Sequence, residues 1–131
     1  MYLLDSNVII DFFNSKLPDN GKKFIDDIDP IISVITRIEL FASSKLSETE
    51  ISKLNSFVEI VDIIDYLNSE IVEKAVLIRQ KHKIKLPDSI IAASELANNL
   101  ILVTRNISDF NEIEGLKLIN PYNLQRKTPS L

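Results

Sequence analysis

Four acidic side chains stand out by their settings. Asp5 ends the apolar segment Tyr2-Leu3-Leu4, and Glu39 is enclosed in Ile-Glu-Leu-Phe-Ala. Asp88 opens Asp-Ser-Ile-Ile-Ala-Ala after Leu86-Pro87, and Asp109 follows Val-Thr-Arg-Asn-Ile-Ser a few residues past another apolar segment. Gathered in a partly buried cleft, such like charges repel and raise one another's pKa unless cations neutralise them. Carboxylate oxygens are hard ligands that suit Mg2+ or Mn2+ better than zinc. An ion held by them lowers the pKa of a bound water and offsets charge building on a phosphoryl group. The chemistry that fits this donor set is metal-assisted phosphodiester hydrolysis. Each acid also has a plain structural reading. Asp5 and Asp88 suit helix N-caps, worth about 1 kcal/mol each. Neither completes a capping box, because Val8 and Ile91 stand where Glu or Gln would be needed. Glu39 suits the outer face of an amphipathic helix, and Asp109 suits a turn.

For the four to meet, the elements between them must bring distant segments to one edge. Tyr2-Leu3-Leu4 reads as a short buried strand, and Ser6 to Phe13 as a helix with Val8, Ile9, Phe12 and Phe13 at helical spacing. Pro18 opens a second short helix carrying Phe24, Ile25 and Ile28. Ile31 to Val34 is a β-branched run that suits a second strand. A helix over about 35–44 follows, and Ser47 with Glu50 fits a capping box opening the next one. Val58 to Val61 is the expected third strand. Helices are predicted over about 67–81 and 88–98, with Pro87 punctuating the chain between them and Asn98-Asn99 as a stop. Leu100 to Val103 and Leu116 to Ile119 supply the fourth and fifth strands, around a short turn at Asn106 to Phe110. Apolar strands alternating with amphipathic helices predict a three-layer α/β/α sandwich around a central, mostly parallel five-stranded sheet. In such sheets ligands bind beyond the carboxyl ends of the strands, where the strand order reverses, and the four acids follow strand ends. There is no repeat, low-complexity tract or composition shift, so residues 1–131 read as one domain. The polar tail from Pro121 onward is expected to add little to the core.

Composition narrows the alternatives. The chain has 131 residues, 45% hydrophobic and 26% charged, which suffices for a packed core without staples. With no cysteine there is no disulfide, zinc-thiolate site or thiol nucleophile. Two glycines and the absence of GxxxxGK[ST] or GxGxxG exclude a phosphate-cradling loop. The single histidine, His82, argues against a His-rich zinc site or a paired-imidazole ribonuclease, and reads as a surface residue. Fifteen Lys and Arg against 19 Asp and Glu give a net charge of −4, a mild argument against binding polyanions by bulk charge. It leaves open a nucleic-acid enzyme whose carboxylates hold metal. No run approaches the roughly 18 apolar residues of a membrane span, and the N-terminus lacks a basic segment followed by an apolar core. No membrane contact is expected, and the cytoplasm is the expected location. A signalling receiver would need a phosphoacceptor Asp ending a central strand with a partner Lys later, and neither is in place. A haloacid-dehalogenase-like phosphatase needs Asp-x-Asp after the first strand, where Asp5-Ser6-Asn7 lacks the second acid.

Four segments together carry a family resemblance: Leu-Leu-Asp-Ser-Asn at 3–7, Thr-Arg-Ile-Glu-Leu at 36–40, Leu-Pro-Asp-Ser-Ile-Ile-Ala-Ala at 86–93 and Val-Thr-Arg-Asn-Ile-Ser-Asp-Phe at 103–110. The chain resembles PIN-domain ribonucleases from Tyr2 to about Asn120, and more narrowly the VapC-type toxins of bacterial toxin–antitoxin pairs. The resemblance implies endonucleolytic cleavage of RNA dependent on Mg2+ or Mn2+. It implies Asp5 and Asp88 as direct metal ligands, with Glu39 binding metal through water or acting on the attacking water. Asp109 would serve the same or a second, weaker metal position. Ser6, Asn7, Thr104 and Asn106 match polar positions that orient the cluster or the phosphate. Some PIN domains carry a further acid where Asn106 stands, so a second metal position has one ligand fewer here. Family membership further implies a homodimer and a small cognate antitoxin whose tail wraps the toxin. The competing reading is a catalytically silent PIN module that binds RNA or a protein, and retention of all four acids opposes it.

Several patches have double readings. Arg79 to Lys85 holds five basic residues in seven, either an RNA-backbone contact near Asp88 or a solvated helix end that complements the dipole. Arg37 and Arg105, beside Glu39 and Asp109 in sequence, are candidates for phosphate contact. Arg126 and Lys127 read as solubilising. Phe12, Phe13, Phe24, Phe41 and Phe57 read as core rather than base-stacking platforms, and the first two helices also suit a dimer or antitoxin groove.

Overall fold

Paired apolar residues on very short strands organise the fold, since neighbours along a strand face opposite sides of the sheet. In the computed structural model, which describes residues 1–124, the strands are β1 (Tyr2–Leu4), β2 (Pro30–Ser33), β3 (Asp62–Ile64), β4 (Ile101–Val103) and β5 (Leu118–Ile119). They form one sheet in the order β3-β2-β1-β4-β5, parallel at every pairing. The helices are α1 (Ser6–Phe13), α2 (Asp19–Asp27), α3 (Val34–Phe41), α4 (Glu48–Ile60), α5 (Ser69–Lys81), α6 (Leu86–Asn98) and α7 (Ile107–Phe110). Leu3, Ile31 and Leu102 face one core with Ile71, Ala75 and Ile78 of α5 and Ile91, Ala92 and Ala93 of α6. Leu4, Ile32 and Val103 face the other with Val8 and Ile9 of α1, Ile25 of α2, Leu40 of α3 and Leu54 of α4. This is the expected three-layer sandwich, with α5 and α6 on one face and α1 to α4 on the other.

The expected third strand at 58–61 is helix instead. Ser47 Oγ accepts from the Glu50 N–H at 3.1 Å and Glu50 Oε1 accepts from the Ser47 N–H at 3.2 Å. This reciprocal cap starts α4, and Leu54, Phe57, Val58 and Val61 continue it as a stripe at i, i+3, i+4 and i+7. The strand comes immediately afterwards, with Ile63 on the α1–α4 side and Ile64 on the other. A second shift concerns Pro87, which lies inside the first turn of α6 rather than before it. Proline is tolerated there because its missing N–H has no intrahelical partner to lose. Lys85 is therefore the N-cap and Asp88 the third helical residue, which removes the plain N-cap reading of Asp88. Helix α5 starts at Ser69, later than expected, because Asn68 Oδ1 caps the Ile71 N–H at 3.0 Å.

The first part of the tail is also revised. Pro121 is buried and Tyr122 packs against the α1–α4 core. Gly21 of α2 lies directly under the Pro121 carbonyl, where a β-carbon would collide with backbone. Asn20 Nδ2 donates to the Leu124 carbonyl at 2.9 Å. Residues 121–124 thus cover α2, contrary to the expectation that the tail contributes little, whereas Arg126 and Lys127 lie outside the described residues. The five phenylalanines are partly buried against the α1–α4 core, as expected.

Candidate active site

The strand order supplies the location. From β1 the chain builds β2 and β3 toward one edge, then returns to place β4 and β5 on the other side of β1. The segments leaving β1 and β4 diverge at this reversal and open a crevice at the carboxyl ends of the strands. Asp5 is the first residue beyond β1 and Thr104 the first beyond β4. The pairing of Leu4 with Val103 sets them side by side, and the Asp5 N–H donates to the Val103 carbonyl at 3.0 Å.

The Asp5 carboxylate is 4% exposed and fully engaged from the protein side. Oδ1 accepts from the Ser6 N–H at 2.9 Å, while Oδ2 accepts from Thr104 Oγ1 at 2.8 Å and Asn7 Nδ2 at 3.2 Å. Each supporting group is itself held. Thr104 Oγ1 accepts from the Asn106 N–H at 3.1 Å, and Asn7 Oδ1 accepts from the Arg105 N–H at 3.1 Å. One carboxylate is thereby fixed by residues about a hundred positions apart, and Ser6, Asn7, Thr104 and Asn106 all take part, Ser6 and Asn106 through their backbone N–H groups.

Glu39 arrives on α3, Asp88 on the first turn of α6 and Asp109 on α7. The four acids share one electrostatic field. Burial pushes Asp5 up first, hydrogen bonds from Thr104, Ser6 and Asn7 oppose the rise, and the Asp109 charge adds to it. Glu39 is raised by burial and by the charges of Asp5 and Asp88, against the Ser6 side chain. Asp88 is raised by burial and by Asp5 and Asp109, with the Lys85 ammonium opposing. The structure therefore sets each of the four acids within Coulombic reach of at least two of the others. Among the described residues, no three His, Asp or Glu side chains stand close enough to enclose a metal ion by themselves. The donor set still fits Mg2+, which keeps several waters and is usually bound by one or two carboxylates plus substrate phosphates rather than by a protein cage.

The two arginines differ. Arg37 is two positions from Glu39 on α3, and residues so spaced do not face each other on a helix. It lines a hollow with Val34, Ile38, Phe41 and Asn55, away from the acids. Arg105 lies beside the site, but its Nη1 donates to Asp11 Oδ2 at 2.9 Å, and the Tyr122 hydroxyl donates to the same oxygen. Asp11 is a site-supporting residue that the sequence does not single out; nor does it single out Glu95, a buried acid on α6 remote from the site whose pKa desolvation pushes to about 7. Their signal is periodic. Asp11 falls three residues after Val8, and Glu95 three and four residues after Ala92 and Ile91, so both are acids on the inward stripe of an amphipathic helix.

A parallel sheet reversing its strand order between β1 and β4, with carboxylates gathered at that reversal, defines the class. Residues 2–116 match the PIN domain family, and the chain belongs to it. The chain is 32% identical to Ribonuclease VapC2 of Rickettsia felis, over 92% of this chain and 97% of that protein. It is 27% identical to the tRNA(fMet)-specific endonuclease VapC of Shigella flexneri, over 88% and 94% of the two chains. Among solved structures, a toxin–antitoxin complex from Klebsiella pneumoniae aligns over 95% of this chain and 100% of the matched one, with a TM-score of 0.74 and 30% identity. The family and fold expected from the four motifs are borne out. Among the described residues, no helix is long and apolar enough to cross a membrane.

Proposed function

We propose that this chain is a divalent-metal-dependent endoribonuclease and the toxin of a toxin–antitoxin pair, restrained by a small cognate antitoxin. The observation that carries the proposal is the convergence of Asp5, Glu39, Asp88 and Asp109 in one field at the crevice of a PIN fold. The names of the matched relatives support the substrate class, and transfer RNA is the first substrate to try, given the Shigella relative. The cytoplasm is the proposed location.

Asp5 and Asp88 would hold Mg2+ or Mn2+ directly, with Glu39 and Asp109 completing its surroundings through water. When bound, the ion supplies charge stabilisation at the phosphoryl oxygens and a bound water of lowered pKa. The chain's own residues do the rest. Thr104 and Asn7 fix the Asp5 carboxylate, so its oxygens are aimed before substrate arrives. Glu39 reaches solvent at its edge of the crevice, while partial desolvation and the charges of Asp5 and Asp88 raise its proton affinity, which suits its carboxylate to accept the proton of an attacking water. Arg105 keeps half its side chain exposed while anchored to Asp11, leaving guanidinium donors for a substrate phosphate. The exposed apolar residues Leu67, Val72, Val76 and Leu86 between α5 and α6 support a homodimer.

The test compares the purified chain with Asp5→Asn on labelled RNA, with Mg2+, with Mn2+ and with EDTA. Metal-dependent cleavage lost in Asp5→Asn is expected. Equal cleavage by both proteins, or by neither, overturns the enzyme, and binding without cleavage favours the silent module. Co-purification with the product of an adjacent short reading frame, together with loss of cleavage in that complex, checks the antitoxin.

A further inference from the structure

An acidic crevice repels the phosphates of the strand it is to cut, so cations must draw that strand in. Asp88 and Asp109 open into a cleft of about 410 Å³, lined also by Glu112, by Lys81 at the end of α5 and by the whole α5–α6 connection from His82 to Lys85. Burial alternates along this stretch: Lys81, Lys83 and Lys85 are exposed, while His82 and Ile84 are partly covered. Beyond α5 the backbone is extended at both ends of the four-residue connection, with φ −132°, ψ 146° at His82 and φ −69°, ψ 149° at Lys85. Alternate residues of extended chain project to the same side about 6.6 Å apart. Lys83 and Lys85 therefore project to one side along the cleft, the latter three residues before Asp88, and Lys81 precedes them as the last residue of α5. Among the described residues, none of the three is in an ion pair; the two pairs present are Lys23–Asp27 and Arg105–Asp11. Lys85 caps α6 without a side-chain hydrogen bond.

We propose that Lys83 and Lys85, with Lys81 beyond them, seat successive phosphates of a single RNA strand beside the scissile bond, which makes this cleft the strand's track into the acidic crevice. The assignment rests on the nuclease reading above and adds where the strand lies. A row carried by one extended segment follows one strand, whereas the two strands of a duplex would need cations on both sides. His82 and Ile84 also line the cleft but are partly covered, so the exposed lysines make the first contact with the strand. The part of the basic run from Lys81 to Lys85 is thus assigned to substrate contact, while Arg79, in the last turn of α5, lines a different hollow.

The experiment uses the full chain carrying Asp5→Asn and a short fluorescent oligouridylate, with anisotropy measured over a series of salt concentrations. Each phosphate contact on a single strand contributes about 0.7 to the slope of log K against log salt. Lys83→Gln with Lys85→Gln is expected to lower the slope by about 1.4 and to weaken binding at least tenfold. Lys83→Arg with Lys85→Arg should restore both. The pair Lys22→Gln with Lys23→Gln, on α2, controls for bulk charge and should leave the slope unchanged. In the cleaving protein, the two Lys→Gln changes should raise KM more than they lower kcat. An unchanged slope in Lys83→Gln/Lys85→Gln, or an equal drop in the α2 control, overturns the track while metal-dependent cleavage keeps the nuclease. A lysine-dependent slope in a protein that never cleaves has the opposite meaning. Equal losses on a duplex overturn the single-strand assignment, and no RNA binding at all overturns the whole.

Discussion

Glu95 places a measurable pH dependence in the core, remote from the chemistry. The residue is 2% exposed on α6, and among the described residues its Oε2 has no hydrogen-bond partner. Desolvation pushes its pKa from 4.5 to about 7, against opposing contributions from the backbone N–H and the charge of Lys117. Between these values the folded chain holds a proton that the unfolded chain has released, so stability must fall as pH rises. The cost is absent below about pH 4.5, grows through pH 7 and then levels off. At about 1.4 kcal/mol per pKa unit, it reaches about 3 kcal/mol. Glu95→Gln keeps the shape and removes the titration. In urea unfolding with EDTA present, the variant should exceed the parent by about 2–3 kcal/mol at pH 8 and by little near pH 5. With a slope of about 1–3 kcal/mol per molar urea, the midpoint moves by roughly 0.7–3 M at the higher pH. Asp5, Glu39 and Asp88 are also raised, but they titrate in both proteins and drop out of the difference. Parallel stability–pH curves for the two proteins would refute the reasoning.

Three further outcomes follow from named contacts. Gly21→Ala should destabilise the chain by about 1–3 kcal/mol in thermal melts, because the added methyl meets the Pro121 carbonyl. Thr104→Val removes the hydroxyl that donates to Asp5 and accepts from Asn106. It should cost about 1 kcal/mol of stability and reduce RNA cleavage at least tenfold, with Thr104→Ser retaining both. Mg2+ or Mn2+ should raise the melting temperature in proportion to the logarithm of its concentration, since an ion bound only by the folded state stabilises it. Asp88→Asn should abolish that rise, and an undiminished rise in the variant would place the ion elsewhere.

Much of the architecture was legible because it rests on local patterns. Paired apolar residues at 3–4, 31–32 and 102–103 mark strands covered on both faces, and the Ser47–Glu50 box marks a helix start. The four acids were legible through their settings, each following a strand end or enclosed by apolar neighbours. The errors were local ambiguities. Val58 to Val61 is apolar enough for a strand, yet continues a helical stripe begun at Leu54, and only packing against the α1–α4 core decides between the two. Pro87 reads as a break, yet a first turn accepts it. The remaining features depend on contacts between residues far apart along the chain. Asp11, Arg105 and Tyr122 meet across about a hundred residues, and Gly21 is buried by the Pro121 carbonyl at a similar separation in sequence. The row of lysines likewise acquires a direction only once Asp88 and Asp109 share its cleft. Residue types and their short-range spacing determine which chemistry is available and which segments are helix or strand. Where the acids converge is decided by the strand order, because placing β4 beside β1 brings Thr104 onto Asp5, and no local pattern encodes that adjacency.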